Sequence, residues 1–201
     1  IKGYQLSVKE KQLFTDEKPW GLILFKRNIK SLKQIKELTR NIRQLTKEPK
    51  FPILIDEEGS SVSRLGKIIN NDFSQKFLGD IYNIDKKVSL DFYKSYIINL
   101  TNLLRKIGVN INTVPVLDVV RDNTSRIIGN RSFSNDPNVV KTLGKICVKQ
   151  YELNKLATVI KHLPGHGCAS LDSHLKTPRV RLSHKELNKV DFSPFKLNTS
   201  K

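Results

Sequence analysis

Short apolar runs alternate with amphipathic stretches along the whole chain, and no other feature of the sequence narrows its possible folds so far. GLILF at 21–25 reads as a buried strand. Behind a Ser31 cap, Leu32, Ile35, Leu38, Ile42 and Leu45 then recur three and four residues apart with Lys and Arg between them, the spacing of one helix face. PILIDEEG at 52–59 predicts a second strand, ending in carboxylates. A longer segment follows, with a helix whose apolar side comprises Val88, Phe92, Leu100, Leu103 and Ile107 and which closes at Gly108. NINTVPVLDV at 110–119 predicts the third strand. Asp136 before Pro137 makes a cap and first turn for a helix through Val140, Leu143, Cys147 and Tyr151. ATVIKH at 157–162 is the fourth strand, and Ser183 with Glu186 forms a capping box ahead of Leu187 and Val190. Repeated strand–helix units predict an α/β fold with a parallel sheet. Each strand leaves polar and glycine residues at its C-terminal end, at 56–61, from 118 onward and at 161–167. That end carries the chemistry both in a (β/α)₈ barrel and in a doubly wound open sheet.

Composition excludes several classes. With 201 residues, 38% of them apolar, the chain can bury a sizeable core. It has no apolar run of membrane-spanning length and no secretory leader pattern at its start, so a soluble, cytoplasmic protein without a membrane partner is expected. The two cysteines, Cys147 and Cys168, have no CxxC spacing, which supports neither a disulfide framework nor a zinc module. A formal charge of +17 invites a nucleic-acid reading. The lysines, however, are spread along nearly every segment and no stretch interleaves them with aromatic residues, so a solvated basic surface and no nucleic-acid partner are expected. The first strand–helix turn has neither a GxGxxG nor a Walker lysine loop, so no nucleotide cofactor is expected.

Three of the four histidines, His162, His166 and His174, fall within KHLPGHGCASLDSHL at 161–175. A metal site built on His162 and His166 would need both on one helical face, and Pro164 and Gly165 between them break that helix. No metal is therefore expected. For His166, flanked by Gly165 and Gly167, the sequence favours a role in satisfying backbone groups of a tight loop, with the glycines allowing positive φ or close backbone approach. Asp172 and His174, two apart in an extended loop, can point the same way. The carboxylate would then fix the imidazole tautomer and leave the other nitrogen free to exchange a proton.

Five segments appear in order: WGLILFKRNI (20–29), IDEEGSSVSRL (55–65), PVLDV (115–119), IIGNRSF (127–133) and KHLPGHGCASLDSHLKTP (161–178). Together they resemble the N-terminal part of family 3 glycoside hydrolases, in the bacterial β-N-acetylglucosaminidase branch. The resemblance runs over essentially the whole chain. It implies a TIM (β/α)₈ barrel, with residues 1–201 as the N-terminal portion of that single domain, truncated to roughly its first half. It also implies retaining hydrolysis of terminal β-linked N-acetylglucosamine, from a saccharide or muropeptide in cell-wall recycling, with no cofactor. In this branch a histidine paired with an aspartate replaces the usual acid/base carboxyl group. Carried over by motif, His174 and Asp172 are the catalytic dyad, and Asp56, Arg64, Arg131, Lys161 and His162 are the sugar-binding residues. Asp56 could equally be a structural strand-end carboxylate, and Arg64 and Arg131 surface cations. Glu58 and Asp118 are expected to hold loops at the barrel mouth, and Asn130 carries no signal.

The sequence departs from the family pattern in two ways. Gly59 is followed by Ser60 where the family has a second glycine, which predicts a strained turn or a displaced Arg64. No residue matches the family's nucleophile, an aspartate on a late strand. With an Ile1 start and no methionine, this predicts a fragment that leaves two strand edges open and either aggregates or pairs with another chain, the complementary C-terminal half of the barrel being one candidate. The competing readings are an inactive carbohydrate-binding remnant of such an enzyme and, more remotely, a basic nucleic-acid-binding protein.

Overall fold

The computed structural model of the protein describes residues 1–172, 175 and 177–197. Helix α1 (Val8–Asp16) precedes strand β1 (Leu22–Leu24), helix α2 (Leu32–Thr46) and strand β2 (Ile53–Ile55). Two consecutive helices, α3 (Gln75–Ile84) and α4 (Lys86–Lys106), lead to β3 (Ile111–Asn112), α5 (Pro137–Leu153), β4 (Ala157–Thr158) and α6 (His184–Lys189). The four strands are parallel and lie in the order β1-β2-β3-β4. Sequential order without a reversal separates the two architectures that the sequence leaves open. A doubly wound sheet reverses direction at a switch point, whereas consecutive barrel strands always sit side by side. Among the described residues the sheet is four strands of a TIM-type barrel wall, with β1 and β4 at its edges. None of the described helices is long and apolar enough to cross a membrane.

Strand pleating sorts the side chains into two faces. Leu24 and Ile55, paired in register, are buried completely under the helices, with Asn112 beside them. Asn112 donates to the hydroxyl of Tyr151 on α5 at 2.8 Å, so this buried amide is not an orphan. On the opposite face Ile23, Leu54 and Ile111 form one half-buried row. Two residues further along, the same face carries Asp56 and Thr113, and four residues beyond Ala157 it carries Lys161. The strands are shorter than predicted, and Pro115, which has no N–H, interrupts the ladder. Pairing resumes where the Lys161 N–H donates to the Pro115 carbonyl at 3.2 Å and the Leu117 N–H donates to that of Lys161 at 2.6 Å.

Helices α2 and α5 begin where their caps predict, at Ser31 and Asp136, and α6 carries the expected Ser183–Glu186 capping box. Gly108 takes the positive φ (+81°) foreseen for the turn after α4. The buried face of α4 differs from the expected one. It consists of Ser89, Tyr93, Ile97, Leu100, Thr101 and Leu104, while Val88 faces solvent and Phe92 is only half-buried. Two hydroxyl residues can occupy core positions because each finds an acceptor. Ser89 donates to the Leu78 carbonyl at 2.9 Å and Thr101 to that of Ile97 at 2.7 Å.

Helix α3 runs close under the loop that delivers Arg131. A Cβ added at Gly79 would stand 1.8 Å from the Phe133 carbonyl oxygen. Gly79→Ala should therefore destabilise the protein by about 2 kcal/mol or more, because the overlap outweighs the roughly 1 kcal/mol that alanine gains in helix propensity. A chemical denaturation midpoint at or above that of the parent would contradict this packing.

Candidate active site

At the C-terminal ends of β2, β3 and β4 the sheet face supplies a carboxylate, a hydroxyl and an ammonium group that meet. Asp56 Oδ1 accepts from the Thr113 hydroxyl and lies 3.3 Å from Lys161 Nζ, while its Oδ2 accepts from Arg64 Nη2 at 3.0 Å. Lys161 Nζ also donates to Thr113 Oγ1 at 2.9 Å and pairs with Glu58 Oε1 at 2.6 Å. Burial alone would raise the Asp56 pKa. The Thr113 hydrogen bond and the charges of Lys161 and Arg64 outweigh it and lower the pKa to about 2.

The chain of charges continues on the far side of Lys161. Glu58 accepts two hydrogen bonds from Arg131, from Nε at 2.8 Å and Nη2 at 3.0 Å, in the fork geometry that suits a guanidinium. Arg131 Nη2 lies 3.2 Å from His162 Nε2, and His162 Nδ1 lies 2.7 Å from Asp118 Oδ2. A guanidinium only donates and a carboxylate only accepts, so the imidazole carries its hydrogen on Nδ1 and offers its Nε2 lone pair to Arg131. Asp118 is wholly buried and also accepts from the backbone N–H of His166 at 2.6 Å. The result is one alternating series: Arg64, Asp56, Lys161, Glu58, Arg131, His162, Asp118.

Exposure divides that series into two groups. The Glu58 and Asp118 side chains are 2% and 0% exposed, and they lie beneath Asp56 (17%), Arg64 (25%) and His162 (36%). The lower carboxylates fix the upper groups, while the upper groups border solvent and can meet a ligand. All five residues expected to bind sugar, Asp56, Arg64, Arg131, Lys161 and His162, are thus brought to one cluster at the end of the barrel wall where such sites are built.

Comparison with known proteins matches residues 1–199 to the glycosyl hydrolase family 3 N-terminal domain. The chain belongs to that family. It is 33% identical over 198 residues to a beta-hexosaminidase of Neisseria meningitidis serogroup C (strain 053442), covering 98% of this chain and 54% of that protein. It is 34% identical to the beta-hexosaminidase of Hydrogenovibrio crunogenus, covering 97% of this chain and 54% of that protein. The solved structure of NagZ from Neisseria gonorrhoeae in complex with N-trifluoroacetyl-D-glucosamine superposes with a TM-score of 0.89 at 32% identity, covering 98% of this chain and 58% of that one. The chain spans about half the length of the curated relatives it matches.

Within this family 3 framework the remaining expectations can be placed. Gly165 has φ +129°, and a Cβ at Gly167 would stand 1.8 Å from the Val119 carbonyl oxygen, as the glycine pattern around His166 predicts. The His166 imidazole does not do the work foreseen for it. The backbone N–H makes the bond to Asp118, and neither ring nitrogen has a partner among the described residues. Ser60 adopts a left-handed φ of +50°, yet Arg64 still reaches Asp56. The turn is held by the Ser60 N–H donating to the Asn71 carbonyl at 2.6 Å and by Asn130 Nδ2 donating to Ser60 Oγ at 3.1 Å, which gives Asn130 a role the sequence did not reveal. Glu57 was also missed. Fully buried, it accepts from the backbone N–H groups of Arg64 (2.8 Å) and Leu65 (3.0 Å) and from Asn71 Nδ2 (2.6 Å), which seats the loop bearing Arg64. Asp172 is described, and its carbonyl accepts from the Leu175 N–H at 3.1 Å; His174 lies outside the described residues. Among the described residues no group of His, Cys, Asp and Glu is arranged to hold a metal.

The depressed Asp56 pKa fixes a sign. A carboxyl group more acidic in the folded than in the unfolded state stabilises the fold fully above about pH 4 and loses that contribution as pH falls towards 2. Unfolding free energy measured against pH should show a loss of about 2 kcal/mol from this group over that window. Asp56→Asn should flatten that part of the profile. An unchanged acid limb in the variant would show that Asp56 is not held by its cationic neighbours.

Proposed function

We propose that this chain supplies the sugar-binding and acid/base residues of a retaining β-N-acetylglucosaminidase. The observation that carries this reading is the convergence of Asp56, Arg64, Arg131, Lys161 and His162 on one rim, in a family 3 chain similar to beta-hexosaminidases. A pyranose presents neighbouring hydroxyls, each able to donate and accept. Carboxylates alternating with fixed cations match that pattern and hold the ring in one orientation. The N-acylated glucosamine bound to the Neisseria gonorrhoeae relative supports an amino sugar as ligand. Asp172 and His174 are proposed as the proton-transfer pair, with aspartate stabilising the imidazolium as the leaving oxygen is protonated and later as water is activated. The nucleophile is proposed to come from a polypeptide segment other than these residues. A muropeptide handled in the cytoplasm is the natural saccharide in this reading, on the strength of the family resemblance.

The purified chain should bind N-acetylglucosamine in ligand-observed NMR, with Asp56→Ala weakening binding at least tenfold, since a charge-assisted contact contributes about 1.5–3 kcal/mol. It should not by itself hydrolyse a 4-nitrophenyl N-acetylglucosaminide. Absence of binding, or equal binding by Asp56→Ala, would remove the sugar site; robust turnover by the chain alone would overturn the assignment of the nucleophile elsewhere. In the active whole enzyme, His174→Ala should slow alkyl glycosides far more than nitrophenyl glycosides, because only poor leaving groups need a proton. Equal slowing of both would argue against His174 as the acid.

A further inference from the structure

Arg121 and Asp191 lie outside the sugar-binding cluster, yet they join the two flanks of the stretch that carries Asp172 and His174. The leading flank is tied to the β3–α5 connection. The backbone N–H groups of His162 and His166 donate to Asp118 Oδ1, the Thr124 hydroxyl donates to the Gly167 carbonyl, and the Ser125 N–H donates to that of Ala169 at 2.8 Å. The trailing flank returns through α6 to Asp191, whose side chain is 0% exposed. Its Oδ2 accepts from Arg121 Nη2, on the same β3–α5 connection. Asp191 also packs against the leading flank directly, since a Cβ added at Gly165 would stand 2.9 Å from Asp191 Cβ. Among the described residues, both flanks therefore meet at the Arg121–Asp191 ion pair beside Gly165.

This pair differs in kind from the exposed ones on the helices. Lys76–Asp80, Lys87–Asp91 and Lys149–Glu152 all have side chains more than half exposed and contribute little. Asp191 is fully desolvated, and removing the partner of a buried charge is strongly unfavourable. A carboxylate in that position holds Arg121, and with it the meeting point of the flanks, in one place.

We propose that Arg121 and Asp191 are a positioning pair for the acid/base step, fixing where the stretch bearing Asp172 and His174 leaves and rejoins the barrel wall. The proposal rests on the reading of Asp172 and His174 as the proton-transfer pair. Neither Arg121 nor Asp191 is required to touch the sugar.

The two cysteines of the chain serve as separate reporters. Cys147 is fully buried in α5, where burial pushes its pKa up to about 12, so it reacts only when the core opens. Cys168 is half-buried on the leading flank, its pKa raised by burial and by the Asp191 carboxylate. Labelling of each cysteine by a disulfide reagent, followed by peptide mass spectrometry across a pH series, separates electrostatics from release. Loss of the nearby charge moves only the midpoint of the rate–pH profile, whereas release of the flank raises its plateau. Asp191→Asn should raise the Cys168 plateau at least tenfold while leaving Cys147 within threefold of the parent. Arg121→Met, which keeps the buried Asp191 carboxylate but removes its partner, should raise the Cys168 plateau likewise and serves as the second variant if Asp191→Asn folds poorly, while Arg121→Lys, which keeps the charge, should stay near the parent. A shift of the midpoint alone, or equal acceleration of both cysteines, would overturn the proposal. In the whole enzyme, Asp191→Asn should lower kcat on alkyl N-acetylglucosaminides at least tenfold with KM within threefold; a change confined to KM would count against it. The labelling result does not depend on turnover, so failure of the positioning pair and failure of the enzymatic reading give different outcomes.

Discussion

The ammonium group of Lys161 is the point on which the site depends. It is 14% exposed and lies between two carboxylates that reach it from the strand-two end, with the Thr113 hydroxyl as a third contact. A cation in that position cannot be left uncompensated, so the Asp56 and Glu58 side chains must both stay close to it. Each carboxylate then has acceptor capacity left for a guanidinium, Arg64 for Asp56 and Arg131 for Glu58. The alternation of charge is thus a consequence of placing one lysine at the end of β4, and it draws loops from after β2 and β3 into register with that strand.

Backbone packing makes this convergence possible. A Cβ at Gly59 would stand 2.2 Å from the Phe73 carbonyl oxygen, so the turn after β2 closes only around glycine. Glu57 points away from the rim and seats the Arg64 loop through backbone hydrogen bonds, while Glu58, one residue on, points to Lys161 and Arg131. Three consecutive acidic residues, Asp56, Glu57 and Glu58, therefore take three different roles, with Lys161 shared between the first and the last. Their shared position at a strand end converts a short sequence motif into a surface-facing carboxylate and two buried supports.

What was legible in the sequence follows the range of the interactions involved. Caps and periodicity act within a few residues, so α2 and α5 were read correctly from Ser31 and from Asp136–Pro137. Helix α1, with its Ser7–Glu10 capping box, and α3, with its Ser74 cap, carry comparable local signals. The face of α4 was misjudged because burial there rests on hydroxyl groups that find carbonyl acceptors, which hydrophobic spacing does not register. The five expected sugar-binding residues stand on ordered motifs, and the structure places them together at the strand ends. Thr113, Asn112 and the Arg121–Asp191 pair bear no local mark, because their partners lie 39 to 70 residues away.

The most direct test of this account is a map of amide chemical-shift changes on adding N-acetylglucosamine to the isotopically labelled chain. The account predicts that the largest changes cluster at Asp56, Arg64, Thr113, Arg131, Lys161 and His162, and that glucose lacking the acetamido group perturbs them less. Changes confined to the helical surface, or none along the three strand ends, would contradict it.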